Sequence, residues 1–391
     1  MKIRITAPLA ILVFVSLAAC TEDAGSLIAT SETDMLYSST GASVGTSGNP
    51  GNTEAGVITA GEWNDLQEWT FWNNLMKNDT LSVHRLRWGF NPANRYSFIL
   101  KDVDSNPIHD AELILKDSNG QELWAARSDN FGKAELWSGL FNDTEKATSV
   151  TVSYENQSFT FDDPTPIGQG TNEISLSIAT TAANTIDVML VVDATGSMID
   201  ELEYLKKELY DVLDRVQQGA ANNLRTGSVF YRDLGDEYVS RTSPFNNNVN
   251  TTVEFVKNQS AGGGGDFPEA VHTALQKAVQ EENWTPRART RLLFLILDAP
   301  PHETPEVKEK LQALMRQAAK TGIKIIPITA SGIDKSTEFL MRFFSITTNG
   351  TYVFITNHSG IGNSHLNPTI GEYEVEYLNN LMVRLITKYS Q

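Results

Sequence analysis

Two hydrophobic patterns divide this chain near residue 185. Beyond it, Ile186–Asp193 is almost wholly apolar up to its last residue, and Arg291–Leu297 repeats the pattern just before Asp298. Runs of this kind predict strands buried on both faces, as in a parallel sheet. Between them Leu202, Leu205, Leu209, Val212 and Leu213 recur at helical spacing over Ile199–Val216. The alternation continues with a strand at Ser228–Tyr231 and a helix opened by Pro268, with Val271, Ala274, Leu275 and Val279 on one face. A helix over Lys308–Ala319, a strand over Gly322–Thr329, a helix over Asp334–Phe344, a strand over Gly350–Ile355 and a closing helix over Glu372–Tyr389 follow. Residues 185–391 are therefore expected to form a doubly wound α/β sheet covered on both faces.

The preceding part alternates with period two. Tyr96–Leu100, Ala111–Leu115, Glu122–Ala126, Lys133–Trp137, Ser149–Tyr154 and Glu173–Ile178 alternate apolar and polar residues, with turn signals at Asp104–Pro107, Ser118–Gly120 and Asp129–Gly132. Short strands at such intervals predict an antiparallel β-sandwich over residues 94–179. Ahead of it, Trp63, Leu66, Trp69, Trp72 and Leu75 recur at three-residue steps, which predicts a helical, aromatic lead-in over residues 55–93. Residues 21–54 are rich in Ser, Thr, Gly, Asn and acidic side chains and are expected to be a solvated tether.

Composition narrows the partners. The 391-residue chain carries a formal net charge of −17, which disfavours nucleic acid and anionic lipid surfaces. Lys2 and Arg4 precede an apolar run from Ile5 to Val15, the layout of a secretory signal over residues 1–20. Leu17–Cys20 resembles the lipobox of bacterial lipoproteins, which implies acylation of Cys20 and anchoring to a membrane without spanning it. Thr21–Asp23 resembles the surface-export signals of Bacteroidota lipoproteins, so the expected location is the bacterial envelope, on the outer membrane. Cys20 is the single cysteine, so no disulfide can form within the chain.

The chemistry gathers where the apolar strands end. Open parallel sheets bind ligands beyond the carboxyl ends of their strands, and Asp193, Thr195 and Ser197 fall on the first of those turns. Carboxylate and hydroxyl oxygens suit a hard divalent cation: Mg²⁺ first, with Ca²⁺ and Mn²⁺ as alternatives. Asp193, Thr195 and Ser197 resemble the first motif of the von Willebrand factor type A domain, whose metal-ion-dependent adhesion site uses Asp-x-Ser-x-Ser, with Thr here in place of the first Ser. That family's second motif is a Thr in a Gly-rich loop before a helix; Asp266, at the end of Gly262–Gly265, stands at or near that position. The strand-terminal Asp298 matches the third motif. In the 94–179 segment, Asn106, Pro107, Ala111 and the Asp129–Gly132 turn resemble the carboxypeptidase regulatory-like, transthyretin-like domain, which implies a spacer.

The resemblance implies a metal set of Asp193, Thr195, Ser197, Asp266 and Asp298 in a membrane-anchored protein that binds a protein partner or mediates adhesion. Asp233, His302, His358 and His365 lie on loops at the same sheet edge and are candidates for the ligand surface. Three aspartates would neutralise a divalent ion and weaken its pull on a partner carboxylate. An envelope scaffold with a structural ion is the alternative. A hydrolase using His302, Glu269 or Asp233 as base is a third reading, although HExxH, a phosphate loop and a Cys nucleophile are missing from residues 185–391 and the single GxSxG run, Gly41–Gly45, falls in the tether.

Overall fold

The computed structural model describes residues 54–391 apart from 79, 93, 142–145, 182 and 220–222, so the signal segment, Cys20 and almost all of the tether lie outside the described residues. The strands are β1 (Thr59–Trp63), β2 (Asn94–Lys101), β3 (Glu112–Lys116), β4 (Glu122–Arg127), β5 (Lys133–Ser138), β6 (Ser149–Tyr154), β7 (Gln157–Asp162), β8 (Asn172–Ser175), β9 (Ile186–Asp193), β10 (Leu224–Tyr231), β11 (Ser240–Asn246), β12 (Thr290–Leu297), β13 (Ile323–Thr329), β14 (Tyr352–Ile355) and β15 (Val375–Tyr377). The helices are α1 (Trp69–Asn78), α2 (Val83–Trp88), α3 (Ile199–Gly219), α4 (Val249–Lys257), α5 (Val271–Gln276), α6 (Pro305–Thr321), α7 (Lys335–Thr347) and α8 (Leu378–Ser390).

Every residue of β9 and β12 is buried, and alternate side chains of β9 go to different cores. Met189 and Val191 pack with apolar residues of α5, α6 and α7. Val188, Leu190 and Val192 pack with those of α3, α4 and α8. A strand that must satisfy both layers can carry no polar face, which is why its sequence shows no alternation. The eight-stranded sheet has the order β11-β10-β9-β12-β13-β14-β1-β15, with β10, β9, β12, β13 and β14 parallel. Helix boundaries follow local chemistry: Thr304 caps α6 by accepting from the Val307 N–H, Pro305 opens it, and Gly322 ends it at φ 78°.

Several expectations need correction. Trp63 is on a strand, not a helix: β1 inserts between β14 and β15 of the large sheet, and helical spacing begins only at Trp69. The start of the lead-in thus belongs with the α/β domain of residues 185–391, because Ile58 and Ala60 lie in its core. Residues 375–377 form an edge strand and the closing helix starts at Leu378, in keeping with the alternation of Tyr373, Glu374, Val375, Glu376 and Tyr377. Helix α4 was not anticipated; the β-branched Val249, Thr251, Thr252 and Val253 mask its periodicity.

The segment before β9 has two facing sheets, and their side chains share one core. The four-stranded sheet β4-β3-β6-β7 is antiparallel throughout. The three-stranded sheet β5-β2-β8 is mixed, since β8 runs parallel to β2, so a wholly antiparallel sandwich is not what forms. These sheets grip the N-terminal ends of the parallel strands. Arg291, near the start of β12, pairs with Asp110 at 2.8 Å, and Lys324, near the start of β13, pairs with Asp129 at 3.0 Å, all four side chains being buried. The opposite edge, where the strands end, stays open for chemistry.

Candidate metal centre

Strand β9 ends on Asp193 and its neighbour β12 is followed directly by Asp298. The parallel register, with Ile296 opposite Val192, brings both strand ends to one sheet edge, Asp298 lying one residue further along than Asp193. Both are buried, Asp193 completely. Asp193 Oδ1 accepts from the Thr195 N–H at 2.9 Å and from the Thr195 hydroxyl at 2.7 Å, while the Tyr231 hydroxyl donates to Oδ2 at 3.3 Å. Thr195 Oγ1 lies 3.2 Å from Ser197 Oγ, and the Ser197 side chain hydrogen-bonds Asp298. Four oxygen-bearing side chains thus form one connected set, with Asp298 Oδ1 left without a partner.

The loops around this set are tied together by backbone. Gly196 donates to Gly263 O at 3.0 Å and Gly262 to Ala194 O at 3.0 Å. The Arg232 guanidinium reaches both Ala194 O and Ser260 O. Gly264 adopts φ 70°, and a Cβ there would stand 2.8 Å from Glu269 Oε1 and 3.2 Å from Thr195 Cβ, so only glycine lets the loop pass between them.

That passage seats Glu269 inward. Its backbone N–H donates to Pro300 O at 2.9 Å, its side chain is buried, and Oε2 has no partner. Asp266 takes no such position: it is exposed on the glycine loop, because four glycines give it nothing to pack against. The carboxyl that turns toward the Asp193 and Asp298 edge is therefore that of Glu269, whereas the expected Asp266 faces solvent. The signal available in the sequence was the Pro268–Glu269 helix opening, where a residue that begins an ordered element is better placed than one that ends a flexible run.

Electrostatics match a site built for positive charge. Burial, then the charge of Asp298, pushes Asp193 up to about 7. Burial likewise raises Asp298. Glu269 is pushed up to about 9 by burial and then by Asp193, Asp233, Asp236 and Asp298, so at neutral pH it carries a proton. Among the described residues no three His, Cys, Asp or Glu side chains form a metal-binding group on their own. An ion here would need the two aspartates together with hydroxyls and water, a donor set that suits Mg²⁺, Mn²⁺ or Ca²⁺.

Residues 187–364 match the family model of the von Willebrand factor type A domain. That span is similar to a type A domain. Among curated proteins, the chain is 28% identical over 169 residues to the alpha-protein kinase vwkA of Dictyostelium discoideum, covering 42% of this chain and 27% of that protein. It is 27% identical over 125 residues to a putative ariadne-like RING finger protein of Acanthamoeba polyphaga mimivirus, covering 32% of this chain and 12% of that one. The chain thus spans well under two thirds of either relative. A crystal structure of the conserved hypothetical protein BatB from Bacteroides thetaiotaomicron is similar at 16% identity and a TM-score of 0.36, covering 52% of this chain and 98% of that one.

The other candidates in the type A domain divide by location. Asp233 is buried and its Oδ1 lies 2.6 Å from His302 Nε2. The turn that carries it closes the β10–β11 hairpin and also touches the glycine loop, where Asp236 Oδ2 accepts from the Gly264 N–H at 2.9 Å. His358 and His365 bond within their own loop, to Thr356 Oγ1 and Asn357 Oδ1, with His365 Nε2 buried and unpartnered, and neither is drawn into the carboxylate set. That loop meets the edge indirectly: Asn363 donates to Ser331 Oγ, and Ser331 is bonded to the buried Glu201.

His272, whose ring lies 6.3 Å from that of His302, gives a pH prediction. Burial, then the charge of Lys310, lowers it to about 4. A histidine depressed in the folded state stabilises fully above its unfolded value near 6.5, and that contribution is lost as pH falls toward 4. Urea titrations should show His272→Gln flattening the decline between those pH values by roughly 1–3 kcal/mol. An unchanged acid limb would mean that His272 takes up its proton in place.

Proposed function

We propose that this chain is a lipid-anchored protein of the bacterial envelope whose type A domain binds a divalent cation and, through it, a protein partner. The carrying observation is the buried pair Asp193 and Asp298, raised in pKa and with one oxygen unpartnered, at the ends of adjacent parallel strands. Asp193, Thr195, Ser197 and Asp298 would hold the ion, with Mg²⁺ first and Ca²⁺ or Mn²⁺ as alternatives. When bound, the ion supplies the positive charge this edge lacks and a coordination position for a partner carboxylate. Glu269 stands beside this set with Oε2 unpartnered, a further oxygen that could meet an ion-bound water or ligand. Cys20 would carry the lipid on the outer membrane, and Cys20→Ser should abolish incorporation of a fatty-acid label.

The deciding experiment is thermal unfolding of a soluble form beginning at Ala55, in EDTA and then in Mg²⁺, Mn²⁺ or Ca²⁺. An ion that binds only the folded state should add about 2.7 kcal/mol at one hundred times its dissociation constant. Asp193→Ala should remove the response, and an equal midpoint with and without ions would count against the reading. The short contact between His302 and Asp233 favours a second reading, a metal-assisted hydrolase with His302 as base. Turnover of a model ester that disappears in His302→Ala would establish it.

A further inference from the structure

Three large apolar side chains stand exposed around the candidate ion, one at the start of α3 and two on loops. Ile199, directly after the Asp193–Met198 turn, is 56% exposed; Leu234, in the β10–β11 turn, is 55% exposed; Phe267, on the glycine loop, is 48% exposed. Those loops are one surface, since Gly196 bonds Gly263, Ala194 bonds Gly262, and Asp236 bonds Gly264. Leaving such side chains in water at a single edge is costly unless something covers them. The charged groups interleaved with them are acidic: Asp200 and Asp266 are both exposed, while the nearby cation Arg232 is buried and engaged with loop carbonyls.

Resting on the metal reading above, we infer that Ile199, Leu234 and Phe267 form an apolar collar that selects a particular protein segment. That segment carries one carboxylate for the ion, large apolar residues on either side of it, and a basic residue to meet Asp200 or Asp266. Polyacidic segments are disfavoured, because the exposed Asp200 and Asp266 repel negative charge and Arg241, near the start of β11, is already paired with Glu237. A lipid surface fits less well, since an acidic rim faces anionic headgroups unfavourably.

The test uses the whole chain as target for a displayed library of short peptides with a fixed central Asp and randomised flanks, selected in Mg²⁺. Bound sequences should be enriched for Leu, Ile, Phe or Met beside the Asp and for Lys or Arg further out. Replacing the apolar flanks with Ser in a selected peptide should weaken binding about tenfold or more. The triple variant Ile199→Ser, Leu234→Ser, Phe267→Ser should lose that preference while keeping the rise in unfolding midpoint with Mg²⁺. Enrichment for polar or acidic flanks, or an apolar preference that survives in the triple variant, would overturn the inference. Mg²⁺ stabilisation without any enrichment would sink the collar alone. A parent that does not respond to metal would sink both. Cosedimentation with phosphatidylcholine vesicles that vanishes in the triple variant, with no peptide selected, would reassign the collar to a membrane.

Discussion

Replacing Asp65 with Ala should cost about 3–5 kcal/mol, the usual penalty for removing one partner from a fully buried ion pair. Asp65 and Arg342 are paired at 2.6 Å with neither side chain exposed. The guanidinium makes two bonds to Asp65, one to Glu338 Oε1 at 3.1 Å and one to Thr369 O at 2.7 Å, while Trp63 Nε1 donates to Asp65 Oδ1 at 2.9 Å. Without Asp65 the arginine keeps only part of its compensation and the indole N–H loses its acceptor. The double variant Asp65→Leu, Arg342→Met should recover most of the loss, because Glu338 retains Lys335 and the Thr369 N–H and a buried pair is replaceable by apolar residues of similar volume. Chemical denaturation of the parent and the variants measures this. A loss below ~0.5 kcal/mol in Asp65→Ala, the range of ordinary surface changes, would mean that the segment before the sandwich is a dispensable appendage.

That pair also shows where reading the sequence stops. Strands β9, β12 and β13 were legible because burial on both faces leaves an unbroken apolar signature, and the strand-terminal Asp193 and Asp298 came with them. The membership of β1 in the same sheet was not legible. Its partners β14 and β15 lie about 290 and more than 310 residues away, and nothing local distinguishes Trp63 on a strand from Trp69 on a helix. Buried Asp65 looks like any polar residue in a turn until Arg342 is placed beside it. Glu269 was obscured for a related reason: the glycine run drew attention to the residue ending it, whereas the inward direction is set by the bridge between Glu269 and Pro301. Parallel β8 was hidden because a period-two pattern carries no strand direction. The candidate site was thus readable to the extent that its groups terminate buried strands, and unreadable where a loop decides which carboxylate turns inward.

In EDTA at neutral pH, Asp298→Asn should raise stability by roughly 1–2 kcal/mol even though it removes a proposed ligand. The sign follows from the charge of Asp298, which acts on Asp193 after burial to lift it to about 7. A carboxylate raised in the folded state contributes stability that is complete below its unfolded value near 3.8 and is lost as pH rises through about 7. The metal-free parent should therefore weaken between those pH values, and the variant should weaken less over the same window. Divalent metal reverses the order: at neutral pH it should stabilise the parent and leave Asp298→Asn nearly unmoved, because the ion relieves the same repulsion that the substitution deletes. Unfolding midpoints of both proteins across this pH range, with EDTA and with Mg²⁺, contain the whole comparison. If the variant is less stable than the parent in EDTA, the two carboxylates are held by their hydrogen bonds and do not store repulsion. If the order fails to invert on adding Mg²⁺, Asp298 is not where the ion is held.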